Sequence, residues 1–346
     1  MEVISIGLSQ RKQKILSAIV ESYIENGEPV SSKNLCNTLN LGVSSATLRN
    51  EMAELTEFGY LEQPHTSAGR VPSYKGYRLY INELMNKKSV PAQARKFIDD
   101  FLETNSGTPE NLLSAAANVL ADITKCAVVT TICSNDAKIN SINLLKTGDH
   151  TAMIVVCLST GMVKSKIFKI SARVTEAMLK LFSSILNENF LTLPASSVTL
   201  SAVKDVLLGF SDFSDTIKEM LKAFWELCQD VSKKEVYLEG QTNLLFFPDV
   251  NSYEAVNTIN LLKEVNSVDQ IFLKAHENQN ALIGKESNCD ELANSSVIVN
   301  KYCVNGQEFG SIGVVGPMRM DYGALMSYVD YLTLTIGNLL GDILEI

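Results

Sequence analysis

The chain has 346 residues, 46% of them hydrophobic and 20% charged, and its 30 Lys and Arg stand against 39 Asp and Glu for a net charge of −9. That balance belongs to an ordinary soluble globular protein and excludes one that holds nucleic acid by overall positive charge; the length predicts two or three domains. No apolar segment follows the N-terminal charges, and the most apolar run, Ala152 to Val163, is too short to span a bilayer, so no secretion signal and no membrane partner are expected.

Seven cysteines (Cys36, Cys126, Cys133, Cys157, Cys228, Cys289, Cys303) are scattered without a C-x-x-C pair. An odd number at irregular spacing fits free thiols in a reducing cytoplasm, with neither a disulfide framework nor a zinc site. The negative charge is unevenly spread. Up to Lys88 there are ten Lys and Arg against nine Glu and no Asp, a balance of +1, so the remainder carries −10. The first segment is therefore free to gather its cations on one surface.

Ser9 predicts the cap of a first helix with Ile15, Leu16, Ile19, Val20, Tyr23 and Ile24 at helical spacing, stopped by Gly27 and Pro29. Ser31 or Ser32 starts a short second helix with Leu35, Cys36 and Leu39 inward. Gly42 then makes the turn, and Ser44 caps a third helix: the helix-turn-helix pattern. In that third helix Leu48, Met52 and Leu55 form the buried stripe. Ala46, Asn50, Ala53 and Glu57 fall on the opposite side, flanked by Thr47 and Arg49. Short side chains at the start would let the helix sit deep in a major groove, where Asn pairs with adenine and Arg with guanine or phosphate.

Tyr60 to Gln63 reads as a strand, "HTSAGR" as a loop whose Gly69 can take a positive φ, and "VPS" as the return. A hairpin after a recognition helix predicts the wing of a winged helix, with His65, Thr66, Ser67 and Arg70 at its tip beside the phosphates or minor groove. Ser45, Thr47, Arg49 and Asn50 are the candidate readers or positioners. His65, Arg70 and Lys33 are the candidate phosphate anchors. Another short helix, "YKGYRLYINELM", follows, and "KKSVPA" (Lys87 to Ala92) reads as a linker.

The stretches "SSATLRNEMAEL" and "QPHTSAGRVPSYKGYR", and "GSIGVVGPMRMDYGALMSYVDYL" (Gly310 to Leu332) near the C-terminus, resemble the bacterial heat-inducible transcription repressors. The resemblance implies a dimeric repressor of chaperone operons that binds an inverted-repeat operator and is kept active by the chaperonin. It also implies a GAF-like domain with an inserted dimerisation domain.

Beyond the linker, a helical stretch through Ala121 precedes strand-like runs at Ala127–Ile132, Ile139–Leu145, Met153–Leu158 and Met162–Ile170, read as one antiparallel meander. Val174 to about Val236 is helical, as is Asn251 to Val265. Ala281–Gly284, Ser296–Cys303 and Phe309–Val315 are strands ahead of a long terminal helix. Strands, helices, then strands again predict one α+β sheet domain interrupted by an insertion. The expectation is thus an α+β, multidomain chain: a winged helix over 1–90, the GAF-like domain over 91–170 and 251–346, and the inserted domain over 171–250.

In the terminal helix Leu325, Val329, Leu332, Ile336, Leu339 and Ile343 form an a/d seam, with Gly337 and Gly341 permitting close approach. The seam packs either on the chain's own sheet or on a second subunit. His65, His150 and His276 lie far apart with no metal spacing, and "GSIGVVG" lacks the Lys-Ser/Thr of a phosphate loop, so neither enzyme, metal nor cofactor is expected. The alternative to a chaperonin-maintained repressor is a regulator whose GAF-like body senses a small molecule.

Overall fold

A computed structural model describes residues 8–38, 43–66, 68–132, 137–208, 215–231, 235–247 and 250–345. Leu39, Gly42, Ser67 and Cys133, named above, lie outside them.

Helix α1 (Gln10–Asn26) begins at Ser9, whose hydroxyl accepts from the Lys12 amide, and ends at Gly27 with φ 70°. Its Ile15, Leu16, Ile19 and Val20 are completely buried against α2 (Ser32–Thr38) and α3 (Ser45–Glu57). A two-stranded ladder, β1 (Leu61–Glu62) with β2 (Val71–Pro72), follows. Val30 and Arg70 extend it by exchanging backbone hydrogen bonds of 2.9 Å each. Gly69 does not use the left-handed conformation open to it. It is glycine because a Cβ there would lie 2.4 Å from the Val30 carbonyl oxygen. Helix α4 (Tyr74–Leu79) then runs into a π-helical turn, Tyr80–Leu84.

The body starts with α5 (Ala92–Thr104), α6 (Pro109–Thr124) and β3 (Ala127–Ile132). Next come β4 (Ile139–Lys146), β5 (Thr151–Leu158), β6 (Val163–Lys169), α7 (Glu176–Phe190), α8 (Leu200–Leu208), α9 (Asp215–Val231) and β7 (Glu235–Glu239). The chain closes with α10 (Ser252–Lys263), α11 (Val265–Glu277), β8 (Ala281–Ile283), β9 (Ser295–Val304), β10 (Gln307–Pro317) and α12 (Tyr322–Leu344).

Five strands form an antiparallel sheet in the order β7-β3-β10-β9-β8. Both faces are covered, so every residue of β3 and all of β10 from Phe309 onward are buried. Val128, Ile132, Ile312 and Val314 join one cluster with α6 and α12. Ala127, Val129, Val299 and Val315 join another with α10 and α11. The glycine-rich "GSIGVVG" lies inside β10, where a Cβ on Gly313 would come 2.5 Å from the Phe272 ring.

The expected single meander is split. β4, β5 and β6 pair only with one another among the described residues, whereas β3 pairs with β10 and β7. Ala152, Ile154, Val156 and Leu158 of β5 are buried in the same cluster as Phe182 and Leu186 of α7 and Phe224 of α9. The excursion from the large sheet therefore runs from the end of β3 to the start of β7. The divisions expected at 171 and 250 coincide with neither end. Strand β7 and helix α11 were not expected at all.

The other face of the three-stranded sheet is open. Register aligns Leu145, Met153 and Ile167 in one row and Cys157 with Val163 in another. Leu145 is 49% exposed, Val163 56% and Ile167 65%.

For α12 the structure selects the chain's own sheet. Leu325, Val329, Leu332 and Ile336 are buried with Ile298 and Tyr302 of β9. Gly337 admits the strand, since a Cβ would stand 2.4 Å from the Cys303 carbonyl oxygen. Among the described residues no helix is long and apolar enough to cross a membrane.

Candidate nucleic-acid interface

The third helix is held from behind by an unexpected charge cluster. Glu51 sits on its inward side, one turn from both Leu48 and Leu55, and is 5% exposed. Arg11 donates to it through Nε at 2.8 Å and also through Nη2, while the Lys12 ammonium lies 3.1 Å from Glu51 and 2.9 Å from Glu54. Burial pushes the Glu51 carboxyl up, but the bonds from Lys12 and Arg11 outweigh it and hold the group below the usual carboxylate range. The helical period places position 51 on the buried stripe, so the sequence carried that signal. A carboxylate there needs a cationic partner on α1.

The outer side of α3 is uncovered. Ala46, Arg49, Asn50 and Glu57 are exposed, and Lys33 on α2 is exposed with them. Among the described residues the side chains of Arg49, Asn50 and Lys33 make no hydrogen bond or ion pair. Ser44 caps the helix, its hydroxyl accepting from the Thr47 amide at 3.2 Å and meeting the Thr47 hydroxyl at 3.0 Å. Ser45 is engaged elsewhere, with its Oγ 3.1 Å from Ser32 Oγ, so it ties the starts of α2 and α3 together. Helix α3 thus presents Arg49 and Asn50 outward from a firmly capped first turn.

The hairpin separates the two candidate anchors. His65 is exposed in the loop between β1 and β2, and its carbonyl accepts from the Ala68 amide at 2.9 Å. Arg70 stands at the base of the hairpin, not at its tip. Its backbone is laddered to Val30, and its Nε donates to Thr56 Oγ1 of α3 at 3.0 Å. That bond leaves the guanidinium Nη groups on the side of the hairpin next to α3. Gln63, overlooked in the sequence, shapes the loop by donating from Nε2 to the Thr66 and Ala68 carbonyls at 2.9 and 3.2 Å.

The other histidines stand apart from this surface. His150 Nδ1 lies 3.2 Å from the Ala172 carbonyl, and His276 bridges Asn280 and Ser311. Among the described residues no group of three or more His, Cys, Asp or Glu could hold a metal ion.

Known proteins give this arrangement its context. A solved structure described as a hypothetical protein at 2.2 Å resolution superposes with a TM-score of 0.68 over 97% of this chain and 100% of its own, at 24% identity. The heat-inducible transcription repressor HrcA of Clostridium tetani is 35% identical over 345 residues, 98% of each chain. That of Carboxydothermus hydrogenoformans is 32% identical, over 97% of this chain and 99% of its own. Residues 110–326 match the family model described as HrcA protein C terminal domain. With a body that fits the family model and relatives alike from end to end, the chain belongs to the heat-inducible transcription repressor family.

Proposed function

We propose that residues 1–90 form a winged helix that reads an inverted-repeat operator, one half-site per subunit of a homodimer, and so represses chaperone genes. Asn50 and Arg49 read base edges in the major groove. Thr47 and the capped start of α3 at Ser44 and Ser45 set the depth of the helix. Lys33, Arg70 and His65 hold the flanking phosphates. The observation that carries this reading is the uncovered polar flank of α3, whose arginine and asparagine have no partner among the described residues while the opposite flank is buried.

The body is GAF-like in this reading, interrupted by the unit from β4 to α9. The open apolar face of β4–β6 supports a second copy of the chain as its cover, because such a face in water is a standing cost that self-association removes. Family membership supports control by heat and maintenance by a chaperonin, and favours it over a small-molecule effector.

The test is a titration of wild type and Asn50→Ala against a duplex carrying the inverted repeat ahead of the organism's own chaperonin operon, and against its scrambled version. Asn50→Ala loses about 1–3 kcal/mol on the operator alone. An equal loss on both duplexes removes Asn50 from base reading. Chaperonin dependence is measured by refolding the denatured chain with and without chaperonin. Equal recovery of operator binding in the two refutes it.

A further inference from the structure

The stretch around Arg319 and Tyr322, which shares in the family resemblance, lies in the body and has no place in the DNA-reading surface. It meets the N-terminal module instead. Arg78 of α4 reaches across 208 residues of sequence to Glu286, donating from Nε at 3.0 Å and also from Nη2. The same guanidinium donates to the Ala281 carbonyl at 2.8 Å and the Asn278 carbonyl at 3.4 Å. Both partners of the ion pair are largely buried, with 16% and 17% of their side chains exposed. Beside them the rings of Tyr77 and Tyr322 pack at 5.7 Å, both fully enclosed. The Tyr322 hydroxyl is fixed by the Met318 carbonyl at 2.6 Å and Ser296 at 2.8 Å.

Two further elements of the module are held. Arg319 donates to the Ile24 carbonyl at 3.3 Å in the last turn of α1, where a cation meets the negative end of the helix dipole. The connecting segment, expected as a loose linker, is pinned by Lys88 to Asp321 at 2.6 Å and by Lys87 to Asp330 at 2.7 Å. A single contact would leave a swivel. Contacts carried by α1, α4 and the connector oppose rotation about any one of them.

We propose that Arg78, Glu286, Arg319 and Tyr322 are positioning residues for operator recognition: they fix the module on the body and so set the distance and phase between the two recognition helices of a dimer. This rests on the dimeric, inverted-repeat reading above. None of the four touches DNA. Their effect is on which half-site spacing is accepted, not on which bases are read.

The probes are duplexes selected by the full-length wild type from a randomised pool, each remade with two extra base pairs between half-sites, which turns one half-site by about 70° relative to the other. Wild type, Glu286→Gln and Arg319→Met are titrated against both, with thermal melts run alongside. The wild type loses about a hundredfold on the lengthened duplex, as one half-site is forfeited. The variants stay within about threefold of wild type on the selected duplex and lose only about tenfold on the lengthened one. Variants that melt as wild type does and still lose a hundredfold overturn the proposal. Should either variant fail to fold, Arg78→Lys, which keeps the charge and loses the two-pronged fork, carries the same comparison. A wild type indifferent to spacing overturns the dimeric reading beneath it, a distinct result.

Discussion

Two of the uncovered surfaces among the described residues have opposite chemistry. On α3 the open flank carries Arg49, Asn50 and small residues at its start, with Lys33 beside it. On the sheet β4–β6 it carries Leu145, Val163 and Ile167. An exposed polar flank is content in water and gains only from a partner with matching donors, acceptors and charge. An exposed apolar face gains from any close cover. In the reading proposed above, the difference separates specificity from assembly: the first surface selects the duplex, and the second sets the number of chains that bind it.

Four substitutions test that separation. Ile167→Glu puts a charge on the apolar face, in the row it shares with Leu145 and Met153. It is expected to yield monomers in sedimentation and to cost about 10²- to 10⁴-fold in operator affinity, the contribution of joining two half-sites. A dimer that persists would move the assembly surface elsewhere. Glu51→Gln strips the charge behind α3 and is expected to lower stability by about 2 kcal/mol at neutral pH. Because the folded Glu51 carboxyl titrates below its ordinary value, this stabilisation is complete above that value and disappears as pH falls through the folded one. Melting curves of wild type and Glu51→Gln should therefore converge in acid, and a gap that stays constant with pH removes the ion pair from the account.

Arg70→Ala is next in size. It forfeits the bond to Thr56 as well as the proposed phosphate contact, so binding should weaken on operator and scrambled duplex alike, with the salt slope falling by about one. Lys33→Ala should do the same more weakly and leave the melting temperature unchanged, since Lys33 has no partner among the described residues to lose. A loss confined to the operator would make either residue a base reader.

The N-terminal module was legible because its signals are local. Ser9, Gly27, Ser44 and the stripes of α1 and α3 each act within one helix, and the structure places caps and buried faces at those residues. The sheet was legible in its strands but not in their partners. A short β-branched run marks β3 as a strand, yet it pairs Thr131 with Ser311, 180 positions away, which no local pattern encodes. β7 escaped notice because its five residues, "EVYLE", are all half-buried and set charge beside apolar side chains. α11 was missed because only Glu264 separates it from α10. At the candidate site, exposure of Arg49 and Asn50 followed from the helical period. The placement of Arg70 at the base of the hairpin depends on its ladder with Val30, a contact across 40 residues.

The position of β10 has a consequence for the birth of the chain. It is the central strand of its sheet, flanked by β3 and β9, yet along the chain it follows the other four strands, so a ribosome delivers it last of the five. Until it emerges, β3 and β7 wait on one side and β8 and β9 on the other, with apolar edges facing an unfilled slot. Closure across so long a span of sequence is slow, and each thermal unfolding leaves the same closure to be made again.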